Sequence, residues 1–75
     1  MNKLSEFVKD KRQDMAMTQD DYAKLLEVST PTLIKIEQGQ KVGLATVRLL
    51  ADYYKLEPRH IRRMMIIGNE EERTL

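Results

Sequence analysis

Thr30, Pro31, Lys35 and Gln38 stand close to the i, i+1, i+5 and i+8 positions of a helix beginning at Thr30, which puts them on one face. Leu33 and Ile36 fall on the opposite face. The outward side chains are suited to making contacts, not to breaking bonds. The Lys35 ammonium can donate to guanine O6 or N7, and the Thr30 methyl or the Pro31 ring can meet a thymine methyl, with Thr32 as a weaker candidate. Groups that do covalent chemistry are scarce. The chain holds one histidine, no cysteine and no glycine-rich phosphate loop, and capping or solubility accounts for its carboxylates. No catalytic residue, metal site or cofactor is therefore expected, and His60, set among arginines, reads as a surface residue.

Two short helices must hold that face in place. Thr18 can cap the first by accepting the backbone N–H of Asp21, and Asp21 can reach back while favouring the positive end of the helix dipole. The helix runs from Gln19 to Leu26 with Tyr22, Ala23 and Leu26 as a narrow apolar stripe. It is shorter than the roughly 12 to 15 residues an isolated helix needs in water, so it must pack against something. Ser29 is the next N-cap, and Pro31 lies in the first turn, where a missing N–H breaks no intrahelical bond. The second helix then spans Thr30 to Gln38, and Gly39 ends it in the left-handed conformation. With about three residues between them, the two helices are expected to cross steeply.

From Thr18 to Gly39 the chain resembles the Cro/lambda-repressor (Xre) family of helix-turn-helix proteins. The resemblance is carried by Gln19, Asp20, Asp21, Tyr22 and Ala23, then Val28 and Ser29, then Leu33, Lys35, Ile36, Glu37 and Gly39, in register. It implies an all-α, five-helix lambda-repressor-like domain whose helices 2 and 3 form the helix-turn-helix. It also implies that Gln19 and Gln38 contact the DNA backbone, and that Arg12 pairs with Glu37 to tie the first helix to the reading helix. Gln19 suits a phosphate on its own terms, at a helix start where backbone N–H groups point outward, and Lys41 and the N-terminus of the fourth helix are further phosphate candidates. The family often has glycine where this chain has Ala16 and Glu27. A non-glycine residue at positive φ costs roughly 1 kcal/mol, so either these turns are strained or their backbone differs.

The flanks supply the remaining elements. Leu4, Phe7, Val8 and Met15 share one face of a helix from about Lys3 to Met15, with Asn2 as its cap and Arg12 on the same face. After a loop from Gln40 to Gly43, a fourth helix runs from Leu44 to about Tyr54 with Leu44, Val47, Leu50, Ala51 and Tyr54 in helical period. Pro58 opens a fifth that is expected to end before Gly68. Ile34 is expected to cover the edge of the core. Residues 1–68 thus read as one domain, and 69–75 as an acidic, mobile tail.

Seventy-five residues make one small domain with a single core and little margin of stability. The absence of cysteine fits a reducing compartment, and the charged N-terminus lacks a signal-peptide run, so a cytoplasmic protein is expected, with no membrane span. The net charge of +1 is low for a DNA-binding chain, and between Thr18 and Gly43 three lysines face four carboxylates. One such domain would bind weakly, which favours a homodimer on a roughly palindromic site with half-sites about 34 Å apart. The expected dimer surface is the last helix, through Ile61, Met64, Met65 and Ile67, unless some of these merely finish the core. Arg59, His60, Arg62 and Arg63 form the most basic cluster and could be solvated, bind phosphate or pair with Glu70, Glu71 and Glu72. The sequence thus reads as a dimeric, operator-binding transcriptional repressor, since no second domain is present to sense a ligand or recruit polymerase. The alternatives are a DNA-binding antitoxin gripping its toxin through the last helix, and a protein-interaction module that keeps the fold without reading DNA.

Overall fold

The first helix is set by a reciprocal cap. Asn2 Oδ1 accepts the Ser5 backbone N–H at 2.8 Å, and Ser5 Oγ accepts the Asn2 N–H at 3.0 Å. The computed structural model describes residues 2–74, and the side chains of 2–67. It contains α1 (Lys3–Asp14), α2 (Gln19–Leu26), α3 (Thr30–Glu37), α4 (Leu44–Tyr54) and α5 (Pro58–Thr74), and no strand among the described residues. Thr18 Oγ1 accepts from Asp21 N at 3.2 Å and Ser29 Oγ from Thr32 N at 3.2 Å, so each short helix starts at its expected cap. Gly39 follows α3 with φ 84°, the left-handed conformation that glycine adopts without steric cost.

The core is built from every helix. Leu4 and Val8 of α1, Tyr22, Ala23 and Leu26 of α2, Leu33 and Ile36 of α3, Val47, Leu50 and Ala51 of α4, and Ile61 and Met65 of α5 are buried together. Each fully buried aliphatic side chain contributes about 1.5 to 3 kcal/mol, which is what keeps eight-residue α2 and α3 helical. Helix α1 lies against both α3 and α5, α4 packs on α5, and α2 packs on α3. An aromatic cluster joins the α1, α2 and α4 ends of this core. Phe7 meets Tyr54 edge to face at 4.9 Å between ring centroids, Tyr53 meets Tyr54 at 5.0 Å, and the Tyr22 and Tyr54 hydroxyls are 2.7 Å apart.

Several expectations are corrected. Met15 does not extend the α1 stripe: the helix stops at Asp14, and Met15, as its C-cap, is 51% exposed. Leu44 keeps helical period with Val47 but sits at the first position of α4, beyond the rim of the core, and is 53% exposed. Helix α5 does not end before Gly68 but continues to Thr74, since a single glycine inside a helix costs only about 1 kcal/mol. The side chains of the expected tail, 69–75, lie outside the described residues. At Ala16 and Glu27 the backbone is the strained one: φ is 54° and 64°, and Lys55 after α4 adds a third left-handed residue at 60°.

Candidate nucleic-acid interface

Helix α3 is fixed at both ends. At its C-terminal end Glu37 receives a two-pronged guanidinium contact, Arg12 Nε to Oε2 at 2.8 Å and Arg12 Nη2 to Oε1 at 3.1 Å. Arg12 also donates through Nη1 to the Met17 carbonyl at 3.1 Å, and Gln19 Nε2 donates to Glu37 Oε1 at 3.1 Å. The Glu37 carboxylate thereby joins α1, α2 and α3, and Arg12 ties in the loop after α1. Hydrogen bonding to Glu37 raises the Arg12 pKa above its already high usual value, against the opposing effect of burial. Just beyond, Asn2 Nδ2 donates to the Gly39 carbonyl at 3.1 Å. At the N-terminal end Thr30 Oγ1 donates to Asp20 Oδ1 of α2 at 2.9 Å.

With Leu33 and Ile36 buried beneath it, the helix exposes Pro31, Lys35 and Gln38 and half-exposes Thr30, Thr32 and Ile34. The side chains singled out for base contact therefore lie on one accessible face. Two of them are already engaged: Thr30 Oγ1 donates a hydrogen bond to Asp20, and Thr32 Oγ1 accepts from Ser29 Oγ at 2.8 Å. The Lys35 ammonium is exposed. Ile34 is half-buried but is not among the partly buried apolar side chains packed against the core, so the expected role at the core edge is not seen.

The phosphate candidates are more varied. Gln38 is exposed and its Oε1 accepts from Gln40 Nε2 at 2.9 Å; Lys41 is exposed in the same loop. The first turn of α4 starts at Gly43 with no side-chain cap, so no side chain satisfies its leading N–H groups, and nothing lies within 4 Å of where a Gly43 Cβ would be. Gln19 is not simply free to meet a phosphate, because one amide N–H is spent on Glu37; the other remains.

On the far side of α1 and α4, Ile61 is fully buried and Met65 is 7% exposed. Both face the core because they lie one helical turn apart on the stripe packed against α1 and α4, so neither belongs to a surface. Met64 and Ile67 are half-buried, and Ile66, outside the expected dimer set, is 43% exposed. Arg59, His60, Arg62 and Arg63 are all exposed, with Arg59 Nε 2.6 Å from Glu57 Oε2.

Sequence reading missed the contacts that depend on two helices meeting: Asp20 with Thr30, Gln19 with Glu37, and Asn2 with Gly39. No spacing rule within one helix signals them. Among the described residues no helix is long and apolar enough to cross a membrane, and no cluster of three acidic or histidine side chains is placed to hold a metal.

No curated protein and no solved structure matches the chain. A family model described as helix-turn-helix matches residues 8–61, from the middle of α1 into α5. By that match, and by five helices with the reading pair at α2 and α3, the chain belongs to the Cro/lambda-repressor-like helix-turn-helix family of DNA-binding domains.

Proposed function

We propose that the protein is a sequence-specific transcriptional regulator, a homodimer that represses by occupying a palindromic operator with one α3 in each half-site. The observation that carries this reading is the division of α3 into two faces. Its inner face and both ends are immobilised by Leu33, Ile36, Glu37 and Thr30, while Pro31, Lys35 and Gln38 stand clear. A rigidly held helix of this kind fits a major groove, with Thr30, Pro31, Thr32 and Lys35 over base edges. Gln38, Lys41 and the uncapped first turn of α4 would meet phosphates on one side, and Gln19 at the start of α2 on the other.

Dimerisation is part of the proposal because three lysines against four carboxylates between Thr18 and Gly43 give a single domain little grip on DNA. The apolar surface that α5 offers for it is Ile66 with the exposed parts of Met64 and Ile67. Repression needs only a stable complex over a promoter. Selection from a random-site duplex library, with sequencing of the bound fraction, tests the reading. An enriched inverted repeat with half-site centres one helical turn apart is expected; no enrichment at low salt overturns it in favour of a protein-interaction module.

A further inference from the structure

We propose that Asp20 is a specificity-determining residue: by accepting the Thr30 hydroxyl hydrogen bond it makes the paired Thr30 and Asp20 side chains at the start of α3 an acceptor-only surface that selects an amino base, adenine or cytosine, on the strand it faces. The inference rests on α3 being the DNA-reading helix.

A threonine hydroxyl by itself is ambivalent, with one proton to give and two lone pairs to receive, and it reads any base edge. Thr30 is not left in that state. Its Oγ1 donates to Asp20 Oδ1 at 2.9 Å, across the gap between the first turns of α2 and α3. With its single proton spent, Thr30 can only accept. The Asp20 carboxylate is exposed and also only accepts. Thr30 and Asp20 therefore present lone pairs and a negative charge, with no donor.

Base edges in the major groove answer such a surface in opposite ways. Adenine N6 and cytosine N4 carry the only donors there, whereas guanine O6 and N7 and thymine O4 are acceptors. An amino base can donate into the pair, and a keto base meets repulsion. The charge acts a second way, because a carboxylate among phosphates penalises every complex in which no amine compensates it. Lys35, five positions along the same helix, carries the opposite preference for guanine, so the two ends of the reading face discriminate in opposite senses.

Asp21 supplies the control. It lies beside Asp20 in the first turn of α2, is exposed and carries the same charge, but the Thr30 hydroxyl donates to Asp20. A role limited to the helix dipole or to general repulsion would be shared by both residues.

The test is selection from a random-site library with the full chain, run in parallel for the unsubstituted protein, Asp20→Asn and Asp21→Asn. Asn is isosteric, and its Oδ1 can still accept from Thr30, so the contact between α2 and α3 survives while Nδ2 adds a donor. Circular-dichroism melting checks that each variant is folded. The unsubstituted protein is expected to prefer amino over keto bases by about tenfold at one position per half-site. Asp20→Asn should lower that preference to about twofold or less and raise affinity for random duplex, and Asp21→Asn should leave the preference in place. A motif unchanged by Asp20→Asn, or changed equally by Asp21→Asn, overturns the role of Asp20 alone. A chain that enriches no motif at all overturns the DNA reading, and this inference with it.

Discussion

Arg12 holds Glu37 through two parallel hydrogen bonds, of 2.8 and 3.1 Å, across 25 positions of sequence. The carboxylate is nearly sealed from solvent, its side chain 6% exposed, and Gln19 occupies Oε1 from the other side. The pair is thus a bolt between the helix that begins the core and the helix that presents the reading face.

Removing one half of that bolt should be far worse than removing both. Arg12→Ala leaves Glu37 buried with only Gln19 to compensate it, and should cost about 3 kcal/mol or more, much of the stability of so small a domain. Arg12→Met combined with Glu37→Leu should recover most of the loss, because no charge is then stranded. Urea denaturation of both variants measures this; a single-variant loss below about 0.5 kcal/mol would show that the pair is a bystander.

The hydroxyl pair of Tyr22 and Tyr54 gives the fold an alkaline limit. Burial raises both pKa values above the ordinary value of about 10; the shared hydrogen bond raises Tyr54 further and works against the rise at Tyr22. A raised acid pKa favours the neutral native form, so its contribution is fully present below pH about 10. As pH rises past 10 the unfolded chain loses protons that the native state keeps, and stability should fall by up to about 1.4 kcal/mol per pH unit for each tyrosine. Denaturation midpoints between pH 8 and 11 test this, with Tyr54→Phe as the variant whose slope should be shallower. A midpoint that stays level through pH 11 contradicts the burial argument.

Glu27 should be improvable. Its φ of 64° strains any residue with a Cβ, and its side chain is exposed. Glu27→Gly is expected to stabilise the domain by about 0.5 to 1 kcal/mol after the added flexibility of the unfolded chain is deducted, raising the melting temperature by a few degrees. Glu27→Ala keeps the strain and should give no such gain, so equal melting points for the two would remove backbone strain as the cause.

Most of the scaffold was legible because local rules act within a few residues. The caps at Asn2, Thr18 and Ser29, the proline in the first turn of α3 and the left-handed Gly39 each depend on neighbours in sequence. The pairing of Arg12 with Glu37 came from family resemblance, since nothing within either helix specifies it. The failures lie where helical period is not enough. Period put Met15 and Leu44 on apolar stripes, but the stripe says nothing of where the opposing helices end, and both residues overhang them. At α5 four consecutive apolar residues, Met64 to Ile67, must divide between core and surface, and only the angle of α5 on α1 and α4 decides which way Met65 turns. The contact of Asp20 with Thr30 was invisible for the same reason, as it depends on how steeply α2 meets α3.

Lys35 is the one cation on the outward face of α3, and its ammonium is exposed. Lys35→Ala should relax base preference at one position per half-site, at a cost of about 1 to 3 kcal/mol there, while leaving preferences elsewhere intact. Lys41→Ala, in the loop beyond α3, should instead weaken binding to all sequences alike and make affinity less dependent on salt. Competition binding against single-base variants of the selected site separates the two. An unchanged preference in Lys35→Ala would assign that residue to the phosphates.

The proposed dimer surface can be tested without disturbing the core because α5 keeps the two apart. Ile66 is 43% exposed, whereas Ile61 and Met65 are buried against α1 and α4. Ile66→Glu therefore places a charge in water in the monomer and should change its melting temperature little. In a dimer joined through this face it would bury two like charges near the two-fold axis, which should shift the protein to monomer in sedimentation at micromolar concentration. Operator affinity should fall in parallel, because each half-site is then bound without the effective concentration that the second supplies. Met64→Glu, at a half-buried position packed against the core, should give the same shift with a larger loss of stability. Dimers that survive Ile66→Glu would place the two-fold contact away from α5, and the exposed Leu44 at the start of α4 would be the next side chain to charge.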